Sequence, residues 1–251
     1  MRKTLIYDVP TRLFHGLFAV LFLAAFSIGK FVDDESALYV YHMIIGLSLG
    51  FLIVLRLVWG FLGSKYARWG SFKLNPKDAI KYFSGILSGS KDKDVGHNPA
   101  SSWAAILMMA LVLGLVFTGY MMTNGLNNKE DFEDIHELLS TSMIILVVLH
   151  VLGIILHSLR HKDMIALSMV DGRKQLEPSA EGIKSSHALA GIFMLVLFLS
   201  FGLTLLKSYN STTGQLKFAG QKLQLSEGPE ENEGGLNNSE QKEIEQDGDD
   251  D

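Results

Sequence analysis

The chain holds eight histidines, and five of them, His15, His42, His136, His150 and His157, fall in or at the ends of long apolar runs. An ionisable residue inside hydrocarbon is costly, so each of these begins as a candidate for function. His136 and His150 are fourteen residues apart. On a helix, fourteen residues return to within about 40° of the same direction and rise about 21 Å, so the two imidazoles face one way at two depths. His42 on the preceding apolar runs shares the level of His136, and His15 shares the level of His150. Two such pairs across a helix bundle, stacked about 20 Å apart, suit two haems, each iron held by two axial imidazoles. His157 competes with His150: it lies seven residues further on, on the same face, roughly 10 Å deeper. It neighbours Arg160 and His161, where an amphipathic side chain reaches the interface, and His150 is preferred. His161 and His187 read as interfacial or solvated side chains.

Three further residues are candidates around the pairs. Arg12 and Arg56 fall near the level of His15 and are possible contacts for haem propionates, with plain anchoring at a positively charged membrane face as the equal alternative. His97, in Gly96-His97-Asn98-Pro99, is a possible quinone or propionate contact, although the same four residues also read as a turn before a helix. Gly16, Gly46, Gly50 and Gly153 leave room for a flat ring, or simply for close helix packing. The chain contains no cysteine. That excludes disulfides, iron–sulfur clusters, thioether-attached haem and cysteine zinc sites, and leaves histidine, methionine and carboxylates as metal ligands.

The elements that must position these residues are five runs nearly free of charge, at 13–29, 37–62, 103–122, 138–159 and 187–206. About 20 apolar residues at 1.5 Å each cross a ~30 Å hydrocarbon core, so each is expected to span a membrane. Basic residues alternate from loop to loop: Arg2, Lys3 and Arg12 precede the first run, seven lysines and arginines occupy the second loop, and five occupy the fourth. The first and third loops are instead acidic on balance. This pattern places the N-terminus in the cytoplasm and, after five spans, the C-terminus outside. Asp8 and Pro10 interrupt the basic head, so the first run is expected to be an uncleaved span and not a signal peptide. Asn75-Pro76 predicts a helix start, followed by an amphipathic helix lying on the inner leaflet. Residues 207–251 are polar and acidic and are expected to be a disordered tail. The formal charge of −5 divides unevenly. Residues 223–251 carry 11 acidic residues and one lysine, while the other 222 carry 21 basic against 16 acidic residues. An acidic total argues against a nucleic-acid partner.

The motifs resemble a known family. Tyr7-Asp8-Val9-Pro10-Thr11-Arg12-Leu13-Phe14-His15 is similar to the opening of the bacterial cytochrome b561 and nickel–iron hydrogenase b-type cytochrome superfamily. Arg56-Leu57-Val58-Trp59-Gly60-Phe61-Leu62-Gly63-Ser64-Lys65-Tyr66-Ala67-Arg68 resembles its second-span exit. Gly96-His97-Asn98-Pro99 resembles its loop before span 3, and His136-Glu137 through His150 its fourth span. Glycine follows His15 where the family often has tryptophan, and the fifth run and tail have no counterpart. The resemblance implies an all-α membrane protein with a four-helix haem-binding domain over residues 1–175, to which the apolar run and the polar composition add 176–206 as a fifth transmembrane helix and 207–251 as the tail. It also implies two haem b groups on residues matching His15, His42, His136 and His150, in the bacterial inner membrane. The expected function is electron transfer between the quinone pool and a periplasmic cytochrome or oxidoreductase subunit. The alternatives are an anchoring cytochrome b subunit of a hydrogenase or dehydrogenase, a superoxide-oxidising quinone reductase and, from a different class, a histidine-lined metal or proton transporter.

Overall fold

The first helix begins where the sequence offers a cap: Asp8 accepts a hydrogen bond from Thr11 N at 2.9 Å, and Pro10 follows within the first turn. The computed structural model describes residues 2–88, 95–124, 129–162, 164–177 and 180–226. Five helices are long and apolar enough to cross a membrane: α1 (Val9–Phe31), α2 (Val40–Leu62), α4 (Pro99–Thr123), α5 (Lys129–His161) and α7 (Ala188–Ser208). Between them lie α3 (Pro76–Ser88) and α6 (Ser168–Asp171). All five expected spans are present as helices, four of them longer than the apolar runs indicated and α2 starting three residues later than its run. Asn98 and Pro99 cap α4 four residues early. The acidic stretch expected to be a loop forms the first turns of α5, where Glu130 and Asp131 offset the positive end of the helix dipole.

α1 packs on α2, α2 on α4 and α4 on α5, while α7 packs on α1 and α2. Phe22, Ala25, Leu49, Ile53, Met109, Val112 and Met143 form the central core. Gly50 turns out to serve helix packing, because a Cβ there would press on Val116 of α4 at 3.2 Å. Large apolar side chains cover the outer faces, including Leu149, Leu152, Ile155 and Leu156 on α5 and Leu189, Phe193 and Val196 on α7. A soluble protein would not leave such faces to water, whereas lipid accepts them.

The chain is mostly helical but not wholly so. Strand β1 (Arg2–Leu5) pairs antiparallel with β2 (Arg173–Leu176), with Arg2 opposite Leu176, and so ties the N-terminus to the segment after α6. Gly172 makes this join possible with its left-handed φ of 78°, and its carbonyl accepts from Ile6 N and Tyr7 N. The expectation of disorder from residue 207 is corrected for residues 209–226. Strands β3 (Tyr209–Asn210), β4 (Gln215–Phe218) and β5 (Gln221–Gln224) form an antiparallel sheet. Its apolar residues are few, but Leu216, Leu223 and Leu225 are all buried against Val40, Ile44 and Leu205, so a polar composition concealed a packed face. Residues 227–251 lie outside the described residues.

Asp8 joins the ends of two helices. Fully buried, its carboxylate accepts from Trp59 Nε1 at 3.1 Å and from Ser64 N at 3.3 Å as well as from its own helix. Replacing Asp8 with alanine removes the cap and strands both other donors, which should cost about 2–3 kcal/mol. A clear fall in the thermal unfolding midpoint in detergent is expected, and an unchanged midpoint contradicts this role.

Candidate functional site

His42 on α2 and His136 on α5 face each other, with ring centroids 6.1 Å apart and planes inclined by 62°. Each ring has its Nδ1 committed. That of His42 donates to Ala25 O on α1 at 2.7 Å. The ring lies so close to α1 that a Cβ on Gly29 would meet its Cε1 at 2.8 Å, so glycine is needed there. The Nδ1 of His136 is 2.8 Å from Thr118 Oγ1 on α4. Thr118 gives its own proton to Gly114 O or Leu115 O, one turn back, and therefore accepts from the imidazole. Both Nε2 atoms are then left as lone-pair donors. A metal-binding imidazole is normally fixed in this way, through a hydrogen bond from its other nitrogen. Metal–imidazole bonds of about 2 Å on each side are compatible with the observed spacing. Phe22, Phe26, Leu49 and Val112 give the cleft an apolar lining.

Fourteen residues along α5 from His136, His150 is half-buried, while His15 of α1 is exposed. A Cβ on Gly46 would meet nothing within 4 Å, so open space lies in the His42–His136 cleft, whereas Gly16 and Gly153 are exposed on the outer surface. His157 lies further along α5. Its ring lies 4.4 Å from that of His161, and it lines a separate cavity of about 310 Å³ with Lys3, Tyr82 and Lys174.

The three accessory candidates share a feature that their sequence context did not reveal. Arg12 Nε, Arg56 Nη1 and His97 Nδ1 are all buried without a hydrogen-bond partner among the described residues. Arg56 packs among Phe14, Trp69 and Phe72, with its guanidinium 4.7 Å from the Trp69 ring, and its Nη2 donates to Ala67 O at 3.0 Å. Arg12 Nη2 donates to Val170 O. His97 stacks on Phe72 at 4.5 Å and meets Tyr7 edge-on. Burial, reinforced by Lys174 and Arg56, pushes its pKa down to about 3, so the ring is neutral at physiological pH. An unsatisfied buried polar atom costs about 1–3 kcal/mol, so three at one end of a bundle call for a polar ligand. Two of the three belong to arginines, which favours an anion, and a propionate has the required chemistry.

Thr118, Ala25 O and Gly29 were absent from the sequence-based candidates. A threonine eighteen residues before His136 in an otherwise apolar run was the available signal. Two facing imidazoles with an apolar lining, and an arginine-rich end beyond the second pair, fit the haem groups implied by the sequence.

The family described as prokaryotic cytochrome b561 matches residues 6–172. The chain is 22% identical over 210 residues, 67% of its length and 87% of the relative's, to the probable Ni/Fe-hydrogenase B-type cytochrome subunit of Rhizobium leguminosarum bv. viciae. No solved structure matches it.

Replacing Thr118 with valine keeps the shape of the side chain and removes the acceptor for His136 Nδ1. Haem retention at that pair should weaken by roughly 10–100-fold. Transfer of haem to an acceptor protein measures it, and retention equal to the unsubstituted protein refutes the anchoring role of Thr118.

Proposed function

The chain belongs to the prokaryotic cytochrome b561 family, and from that membership we propose that it carries electrons across the bacterial inner membrane through two haem b groups. The quinone pool lies at one end of the path and a periplasmic redox protein at the other. The haem-binding unit is residues 1–175, a bundle of α1, α2, α4 and α5, to which α7 adds a fifth span. Alternating loop charge supports a cytoplasmic N-terminus and a periplasmic C-terminus.

The observation that carries this reading is the His42–His136 pair, with each Nδ1 fixed by a partner on a third or fourth helix and both rings lining the same cleft. His42 and His136 would hold one haem, and His15 and His150 the other. Held by these residues, haem b would supply a reversible one-electron centre suited to relaying electrons. The chain's own residues do the rest. Ala25 O and Thr118 hold the imidazole tautomers, which keeps Nε2 unprotonated. Phe22, Phe26, Leu49 and Val112 exclude water, which favours the less charged reduced state. Arg12 and Arg56 present buried N–H groups to the propionates at the His15–His150 level, and His97 adds a neutral ring nitrogen for a propionate or a quinone oxygen.

A second reading has one specific observation in its favour, the name of the Rhizobium relative. In it the chain anchors a hydrogenase-type or dehydrogenase enzyme and accepts its electrons. A stoichiometric enzyme subunit copurifying from native membranes selects this reading, and quinol-driven haem reduction in the isolated chain selects the first.

The test of the haem assignment is stoichiometric. The purified protein should be red, with a b-type reduced-minus-oxidised spectrum and two haems per chain. His136→Ala and His150→Ala should each remove about one haem, as their separate depths require. A colourless protein from haem-sufficient cells, or two variants that both keep two haems, overturns it.

A further inference from the structure

The sheet formed by β3, β4 and β5 lies outside the stretch that matches the family, which ends at residue 172. It nevertheless reaches the His42–His136 cleft. Leu223 and Leu225 line that cleft together with Tyr39, Met43, Tyr120 and the two histidines. Leu223 is 1% exposed and Leu225 7%, so both are committed inward and not to solvent.

The sheet is anchored to hold that position. Phe51 of α2 stacks on Phe201 of α7 at 4.2 Å, and Phe218 of β4 meets Phe201 edge-on at 6.3 Å. Leu216 is fully buried with Val40, Ile44 and Leu205. The free end of β5 is tied back, since Leu225 N donates to Gly214 O at 2.9 Å and the Gln224 amide donates to Thr213 O at 3.0 Å. Gly214 and Gly220 take left-handed φ values of 64° and 80°, which lets the strands reverse in short turns. α7 therefore does more than cross the membrane beside α1 and α2. It delivers a folded apolar cover to the end of the bundle that carries His42 and His136.

We infer that the β3–β5 sheet is a cap on the His42–His136 site, with Leu223 and Leu225 closing its mouth against water and so raising the midpoint potential of the haem held there. This rests on the haem assignment proposed above. The physical basis is charge: a bis-imidazole ferric haem carries one more positive charge than the ferrous form. Water reaching the group stabilises the oxidised state, and an apolar cover disfavours it. The effect is local, so the His15–His150 level, about 21 Å further along α5, should not respond.

The experiment is a redox titration of the full-length, haem-loaded protein carrying Leu223→Gln with Leu225→Gln, and separately Leu223→Ala with Leu225→Ala. The alanine pair opens the mouth without burying a polar group, so it remains informative should the glutamine pair disturb the sheet. Gln221→Ser, on an exposed position of the same strand, is the control. Both pairs should keep two haems, and the midpoint of the component that His136→Ala removes should fall while the other midpoint and the control stay in place. Two bound haems with both midpoints unmoved in both double variants overturn the cap and leave the haem assignment standing. A full-length protein that binds no haem overturns the assignment and the cap together. A fall of both midpoints by the same amount also overturns the cap, because it reports a general loosening of the bundle.

Discussion

A buried imidazole must settle both of its nitrogens, and in a membrane it cannot leave either to water. His42 and His136 meet that demand by giving Nδ1 to a carbonyl and to a threonine, and much of the bundle follows from it. Ala25 O is within reach of His42 only because Gly29 lets the ring lie against α1. Thr118 can accept from His136 only because its hydroxyl proton goes back into α4. Four helices thus meet at one pair of rings: α2 and α5 bear them, and α1 and α4 orient them. Packing of α1 on α2 and of α4 on α5 is the corresponding arrangement of the backbone.

The other end of the bundle is organised by charge. Asp8 draws the start of α1 to the end of α2 through Trp59 and Ser64. It also balances part of the charge of Arg56, which aromatic rings hold in place in a largely apolar setting. The β1–β2 pair closes this end by fastening residues 2–5 to the segment after α6. The result is a molecule with two unlike poles. One is basic and contains buried arginine N–H groups, and the other is apolar and covered by its own C-terminal sheet. On the proposed assignment, two haems at such poles would experience different dielectric and charge, and so differ in potential.

The parts most legible in the sequence were those imposed by the membrane. Apolar length located the five helices, and helix arithmetic set His42 level with His136, whose rings the structure brings together. The fourteen-residue spacing works because α5 is a single uninterrupted helix. Legibility failed where polar residues do structural work. Lys129–Asp134 looked like a loop, yet acidic residues belong at a helix start. Thr118 resembled any small residue of a span until its contact was seen. Residues 209–226 read as a polar tail, because three well-spaced leucines hardly alter the composition of a long hydrophilic segment. Gly50 had looked like space for a ring, but which face of α2 meets α4 is a tertiary fact that spacing alone does not carry.

Low-temperature electron paramagnetic resonance of the ferric protein, before and after exposure of the reduced form to carbon monoxide, addresses the facing imidazoles most directly. Two anchored pairs predict two low-spin ferric signals with no high-spin iron, and a reduced spectrum unchanged by carbon monoxide, because both axial positions are filled. A high-spin signal near one equivalent, or a carbon monoxide adduct, means that an imidazole is not a ligand and contradicts the account.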